Sequence, residues 1–368
     1  MASINRRRFL KAAGAAGVGT AAPAVAAPVI AQSSPEIRWR MPVSWPKTLD
    51  TLYGGAEQFT KYVSEATDGR FQIRPVLGDE KIPALEVTDA VANGTVEACH
   101  TAPYYMWGKD PTFAFGCAVP FGLNGRMQNS WWLEGGGEAL MNAFYAKYNI
   151  HGLLAGNTMA QMGGWFRKEI NTIDDLKGVK MRIAGFAAAV ISKLGVTPQQ
   201  LAGTDIYQAL EKGTVDAAEW VGPHDDEKLG LYKVAKFYYY PGWWEGGAML
   251  HMIVNEDKWS ALPKQYQAVL NQAGAAAGAW MLEKYDSVNP AALKRLIANG
   301  AELKAFPQPV LEACYNATQE HLNELAAKSD LFKRTKDSHD AYMKELLFYT
   351  QIAENFYDNY SLSKMRKS

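Results

Sequence analysis

Arg182 closes the strand-like run Val179-Lys180-Met181-Arg182-Ile183, and a guanidinium at the end of an apolar stretch needs a partner. Its planar fork matches a carboxylate in two parallel hydrogen bonds, by shape as well as by charge. The partner is either a ligand carboxylate or a nearby Glu or Asp in a structural ion pair. Other reactive residues have weaker surroundings. His100 stands where a general base could work, but no nucleophile accompanies it, and a packed, hydrogen-bonded histidine is the simpler reading. His224-Asp225-Asp226 follows Pro223 and reads as a surface turn. Cys99, Cys117 and Cys314 are odd in number and lack metal-ligand spacing. Cys99 reads as a buried free thiol, with a Cys99–Cys117 bridge as the alternative in an oxidising compartment. Gly135-Gly136-Gly137 follows Trp131-Trp132-Leu133-Glu134 and reads as a helix interruption, not a phosphate loop. No Ser/His/acid or Cys/His set has a supporting context. The residues point to binding and away from catalysis.

The elements that must position them alternate strand and helix beyond Pro35. Ile37 to Val43 and Phe71 to Leu77 read as strands, Leu49 to Thr67 as a helix ending at Asp68-Gly69, about Ala84 to Ala92 as a helix stopping at Asn93-Gly94, and Val96 to Ala102 as a strand. Such alternation implies a mixed, largely parallel sheet with helices on both faces. One unit occurs twice. Asp89-Ala90-Val91-Ala92-Asn93-Gly94-Thr95-Val96-Glu97-Ala98-Cys99 is echoed by Gln208-Ala209-Leu210-Glu211-Lys212-Gly213-Thr214-Val215-Asp216-Ala217-Ala218. In both, a glycine ends the helix in the left-handed conformation that it adopts cheaply. Two such units suggest two lobes, although helix–Gly–strand turns also recur by chance. Ligands of these sheets sit outside the carboxyl ends of the strands. The segments to watch are therefore His100-Thr101-Ala102-Pro103-Tyr104-Tyr105 and Glu219-Trp220-Val221-Gly222-Pro223. The last third reads as helices: Pro263 to Asn299, interrupted at Asn289-Pro290, then Pro309 to Ala327 and Ser338 to Asn359. The final one carries Leu346, Leu347, Tyr349, Ile352, Phe356 and Tyr357, a heavy apolar load that braces a hinge or docks on a second chain.

The chain has 368 residues, enough for two lobes. At the N-terminus, Asn5-Arg6-Arg7-Arg8-Phe9-Leu10-Lys11 precedes an Ala/Gly-rich stretch to Ala31. It resembles a twin-arginine export leader, with Val29-Ile30-Ala31 offering the cleavage site before Gln32. Pro23 and Pro28 interrupt the stretch, which argues against a membrane anchor. Its removal takes four of the 38 bases and no acid, leaving 34 bases against 38 acids, a net charge of about −4. That balance, with no basic stripe downstream, excludes nucleic acid as a partner.

Taken together, the leader, the repeated units, Arg182 in its strand and Ala218-Glu219-Trp220 resemble the extracytoplasmic solute receptors of TRAP transporters. Trp107-Gly108-Lys109-Asp110-Pro111 and Trp243-Trp244-Glu245-Gly246-Gly247 are similar to the subgroup that binds 2-oxo acids such as pyruvate with a cation. The resemblance implies an α/β, two-lobed binding protein, each lobe a mixed sheet flanked by helices, joined by a long helix and carrying extra C-terminal helices. The implied layout is a removed leader over 1–31, a first lobe over 36–152 with a returning segment after about 248, and a second lobe over 153–247. A spine helix region follows over 263–306 and C-terminal helices over 309–360. It also implies site residues: Arg182, Gln161, Glu219, Tyr104 or its neighbour Tyr105, and Asn157 by position, for the ligand; and Gln161, Glu219, the Trp220 carbonyl and Glu245 for a cation.

An anion beside Glu219 and Glu245 would be repelled unless positive charge intervenes; Arg182 offsets one charge and a cation the other. A donor set of carboxylate, amide and carbonyl oxygens suits sodium, or alternatively calcium, and not zinc. Aromatic residues crowd the same stretches, as the walls of a dry cleft would. The expected protein is a periplasmic receptor that closes on a small monocarboxylate and delivers it to a TRAP-type membrane permease. The apolar C-terminal helix could support a swapped homodimer. A receptor for lactate, a dicarboxylate, an amino acid or an osmolyte, and a secreted lyase or hydrolase, are the alternatives.

Overall fold

The computed structural model describes residues 35–78 and 81–365, so the expected leader lies outside the described residues. The strand β1 (Ile37–Val43) alternates exposed Arg38 and Arg40 with buried Trp39 and Met41, then runs fully buried to Val43 as it enters the core. It pairs in parallel with β2 (Phe71–Leu77) and with β3 (Ala98–Thr101). β2 carries Pro75, which lacks an N–H, and it lies at the sheet edge where that loss is tolerated. β4 (Ile150–Asn157) and β10 (Met249–Asn255) complete a five-stranded sheet in the order β2-β1-β3-β10-β4, with β10 antiparallel to both neighbours. The helices α1 (Leu52–Ala66) and α2 (Val87–Ala92) link its strands. After β3 come α3 (Gly125–Leu133) and α4 (Gly137–Tyr145), separated by Gly136 at φ 81°, the expected interruption.

The second sheet has the order β11-β9-β5-β8-β6-β7. Its strands are β5 (Trp165–Phe166), β6 (Lys180–Arg182), β7 (Thr197–Gln199), β8 (Ala217–Ala218), β9 (Phe237–Tyr240) and β11 (Glu302–Ala305). Between them run α5 (Gly185–Ser192), α6 (Gly203–Glu211) and α7 (Pro223–Leu229). The two repeated units adopt the same turn. Val96 N–H donates to the Ala90 carbonyl at 3.2 Å and Val215 N–H to the Ala209 carbonyl at 3.2 Å. Gly94 and Gly213 hold φ of 78° and 70°, where a side chain would be strained. The first sheet keeps the whole of β4, so the step between sheets falls after residue 157 and not between 152 and 153. The return after about 248 is β10.

The short helix α8 (Glu256–Ala261) leads to α9 (Lys264–Ala298), 35 residues and about 50 Å long. At Gly274 an added Cβ would lie 2.2 Å from the Leu154 carbonyl oxygen, so only glycine lets this helix lie against β4. Farther along, Tyr285 and Asn289 bond to α7 of the second lobe. Contrary to expectation, the helix runs on through Pro290. A proline forfeits one backbone hydrogen bond, and here side-chain bonds to α7 hold the helix just before it. The residues after it return to the second sheet as β11, which the sequence reading did not foresee.

α10 (Gln308–Lys328) and α11 (Asp330–Ile352) follow, the latter capped by Ser329, whose hydroxyl accepts from Phe332 N–H at 3.2 Å. The final expected helix thus starts earlier than Ser338, and it breaks at Ala353 before α12 (Glu354–Met365). α11 docks on the first lobe through Tyr342–Ser130 at 2.6 Å and Trp131–Ser338 at 3.3 Å. Cys99, Cys117 and Cys314 are buried free thiols. Among the described residues no helix is long and apolar enough to cross a membrane.

Candidate ligand and cation site

Strand pairing brings Arg182 and Glu219 together. Arg182 is the last residue of β6 and faces Ala218 of β8 in register, so the next residue, Glu219, donates its N–H to the Arg182 carbonyl at 3.1 Å. Both side chains are buried and form an ion pair, Arg182 Nη1 to Glu219 Oε1. Nη1 also donates to the Glu219 carbonyl at 3.0 Å and Nε to the Leu201 carbonyl at 3.1 Å. The two partners weighed for Arg182 are therefore not exclusive: a structural ion pair occupies part of the fork, and Nη2 is buried with no protein partner. The guanidinium lies 4.9 Å from the Trp220 ring centroid, in cation–π range.

Gln161 and Glu245 lie on the two segments that join the sheets, 158–164 and 241–248. These run side by side: Gln161 N–H donates to the Glu245 carbonyl at 3.1 Å, Gly242 N–H to the Gln161 carbonyl at 2.9 Å and Thr158 N–H to the Ala248 carbonyl at 3.0 Å. Glu245 is not a solvated loop residue; it is buried and accepts a hydrogen bond from Tyr104. Tyr104 and Tyr105 sit in the single turn after β3, their rings edge to face at 5.1 Å.

The electrostatics follow from burial. Desolvation pushes Glu219 up to about 7 despite the opposing pull of Arg182. It also pushes Glu245 well above the usual carboxylate range, helped by the Glu219 charge. Desolvation works against the Arg182 charge, but Glu219, Tyr105, Tyr104 and Glu245 together outweigh it and raise the guanidinium further. One fixed cation thus faces two acids. Glu219 Oε2, Glu245 Oε2 and Gln161 Oε1 are all buried without a protein partner, and leaving such atoms unsatisfied costs about 1–3 kcal/mol each. Three unclaimed oxygens of this kind fit a hard cation. Among the described residues no three His, Cys, Asp or Glu side chains converge, so amide and carbonyl oxygens would have to complete the shell.

A cavity opens beside this group. Arg182, Gln161, Thr158, Tyr104 and Tyr105 give it polar walls, and Trp45, Leu52, Ala102, Val221, Ala248 and Leu250 apolar ones, with Trp220 between. Its empty volume, open solvent included, is about 290 Å³.

Of the expected residues, Arg182, Gln161, Tyr104, Tyr105 and Trp220 line the cavity, and Glu219 and Glu245 stand behind Arg182 and Tyr104. Asn157 does not join them. Its Nδ2 donates to the Gly125 carbonyl at 3.1 Å and Asn129 at 2.9 Å, and its Oδ1 accepts from Met159 N–H at 3.0 Å, so its amide ties β4 to α3. His100 is the packed histidine expected: burial pushes it down to about 4, and Nε2 bonds the Ala155 carbonyl at 2.9 Å. His224-Asp225-Asp226 is no surface turn. It opens α7 in the interior, where Asp226 accepts from Trp165 at 3.0 Å and Tyr238 at 2.7 Å, and Asp225 from Tyr285 at 2.5 Å. The reading also missed Trp45 and Thr158. Trp45 follows the carboxyl end of β1 and was reachable by the strand-end rule that picked out Tyr104 and Trp220.

The chain matches the model of the bacterial extracellular solute-binding proteins, family 7, over residues 43–329. It is 47% identical over 329 residues to a monocarboxylate 2-oxoacid-binding periplasmic protein of Nostoc sp. (strain PCC 7120), covering 89% of this chain and 90% of the relative. Among solved structures, it resembles a TRAP transporter solute-binding protein of Bordetella bronchiseptica (46% identity, TM-score 0.89, 90% and 99% of the two chains), a dimer with calcium and picolinate in one site and the other empty. It also resembles a TRAP periplasmic protein of Pseudoalteromonas atlantica with bound sodium and pyruvate (38% identity, TM-score 0.85, 88% and 99% of the two chains).

Proposed function

The chain belongs to the bacterial extracellular solute-binding proteins of family 7, as a TRAP solute receptor, and we propose that it binds a small 2-oxo acid such as pyruvate jointly with sodium or calcium, without turnover, and passes it to a TRAP-type membrane permease. One observation carries the reading: Arg182 and Gln161 line one small cavity, and Arg182 Nη2, Gln161 Oε1, Glu219 Oε2 and Glu245 Oε2 are all buried without a protein partner. Arg182 Nη2 donates to the ligand carboxylate. Gln161 Oε1, the two glutamates and the Trp220 carbonyl hold the cation, which supplies the positive charge that an anion needs beside two acids. Tyr104 or Tyr105 contacts the ligand from the first lobe. The relative from Nostoc is named for this ligand class, and the solved neighbours hold pyruvate or picolinate with a cation.

The test is calorimetric titration of chelated, sodium-free protein with pyruvate, before and after sodium or calcium is restored. Binding that appears only with the cation supports the reading; full affinity without one removes the cation, and binding of amino acids but not 2-oxo acids removes the ligand class. Incubation with 2-oxo acids should yield no product.

Export and assembly belong to the same reading. The twin-arginine leader sends the chain to the periplasm, and a second copy covers α11 and α12. There Phe348, Ile352, Phe356, Tyr357 and Met365 are each more than 60% exposed, an apolar stripe that a lone chain leaves wet. Light scattering of a chain ending at Ile352 should find a monomer where the longer chain is a dimer; equal masses would argue against the assembly.

A further inference from the structure

Trp45 lines two cavities at once, and among their described lining residues it alone is common to both. One is the ligand cavity. The other is a half-open hollow in the seam between the lobes, with an empty volume, open solvent included, of about 650 Å³. Val43, Pro46, Leu77 and Ala84 wall it on the first-lobe side, and Ala202 and Thr204, at the start of α6, on the other. The indole between them is firmly held. It meets the His100 ring edge-on at 5.4 Å, and His100 is itself fixed by the Ala155 carbonyl. The preceding residue is clamped to β3 by Ser44 N–H to the His100 carbonyl at 3.1 Å and by Ser44 Oγ to Thr101 Oγ1 at 2.6 Å.

The ligand cavity has a direction. Its charged and amide groups, Arg182 and Gln161, come from the second lobe and the joining segment, whereas Leu52, Leu250 and the ring carbons of Trp45, whose Nε1 is buried with no protein partner, form a mainly apolar wall. A 2-oxo acid with its carboxylate at Arg182 turns its alkyl end away from the polar groups, because burying them against a hydrocarbon would leave them unpaired. We propose that Trp45 is the chain-length gate of the receptor: it closes the apolar end of the ligand cavity, admits 2-oxo acids with short tails, and shuts off the seam cavity as a latent subsite for longer alkyl chains. The inference rests on the 2-oxo-acid reading above, and adds to it which residue sets the ligand's length.

The test compares pyruvate with 2-oxohexanoate, whose tail is butyl in place of methyl, by calorimetric titration in the cation-loaded protein. Wild type should prefer pyruvate by at least about tenfold, the discrimination a pocket achieves against surplus methylene groups. Trp45→Ala should shift the affinity ratio toward 2-oxohexanoate by at least about tenfold. Trp45→Phe, which keeps a ring against His100, should shift it less and guards against misfolding of the smaller variant. Adding Ala202→Leu to Trp45→Ala should undo the gain by filling the seam. A wild type that takes both acids equally, an unchanged ratio in folded Trp45 variants, or a gain that survives Ala202→Leu would each overturn the gate. Pyruvate binding with an unchanged ratio overturns only the gate, whereas no 2-oxo acid binding to the wild type overturns the function as well.

Discussion

Arg182 serves two masters. Its Nε and Nη1 are spent on Leu201 and Glu219, so in the proposed function the ligand would meet a guanidinium already aimed by the protein, with Nη2 as the free end. Truncation removes the ligand's partner and strands Glu219 together. Arg182→Ala should weaken 2-oxo acid binding by at least about 2 kcal/mol, read by calorimetry; unchanged affinity would take Arg182 out of the site. The acids set a pH dependence. A cation binds the deprotonated carboxylates, so protons on Glu219, at about 7, and on Glu245, raised well above its ordinary value, compete with it. Cation affinity, and ligand affinity with it, should fall as pH drops below about 7, by about tenfold per pH unit for each proton displaced. Glu245→Gln should weaken cation binding and flatten this slope. A slope that persists in that variant would assign it to Glu219 alone.

At the scale of elements, α5 and α7 of the second lobe meet the first lobe at Tyr104 and Asp50. Gly185 begins α5 at φ 63°, and a Cβ there would lie 2.9 Å from Tyr104 Cγ, across the seam. Gly185→Ala should therefore penalise the closed state more than the open one and weaken apparent ligand affinity by about 1–3 kcal/mol, again by calorimetry; unaltered affinity would mean that the two elements part on closure. α7 buries two acids that the sequence reading placed at the surface. Burial pushes Asp225 from 3.8 up to about 7, and Asp226 up to about 6. A carboxyl raised on folding binds its proton more tightly in the folded state. Stability is therefore highest below the ordinary value, near 4, and declines as pH rises to about 7. Asp225→Asn keeps an oxygen for Tyr285 and cannot ionise, so urea denaturation at pH 5 and pH 8 should differ less for it than for wild type. Local patterning made β1, β2, β3 and β6 and the Gly94 and Gly213 turns legible, because alternation and a helix-ending glycine are written within a few residues. The interior place of Asp225 and Asp226 was not, since Tyr285, Tyr238 and Trp165 reach them from other elements.

At the scale of the molecule, the same division holds. Two units meant two sheets, and a long helical run after Pro263 meant a spine. What could not be read was where the chain changes sheets, as at β4 and β11, or that packing carries the spine past Pro290. Asn157 misled for the same reason: its position near the cleft was legible, its engagement with α3 was not. The lobes also meet outside the cavity, where Asp50 of the first accepts from His224 at 2.8 Å and Lys228 at 2.5 Å of α7. This latch is partly exposed, so Asp50→Ala should cost the ligand-bound form no more than about 1 kcal/mol, and less in high salt; a larger loss would make the latch part of the site.

The segments 158–164 and 241–248 are bonded to each other, and each carries one candidate cation ligand, Gln161 and Glu245. A single thread would let the halves swivel freely, whereas a paired ribbon backed by a rigid rod leaves one soft axle. In the proposed function, an ion seated on that ribbon would stiffen the axle as the cargo loads. The permease would then meet two silhouettes, vacant and laden.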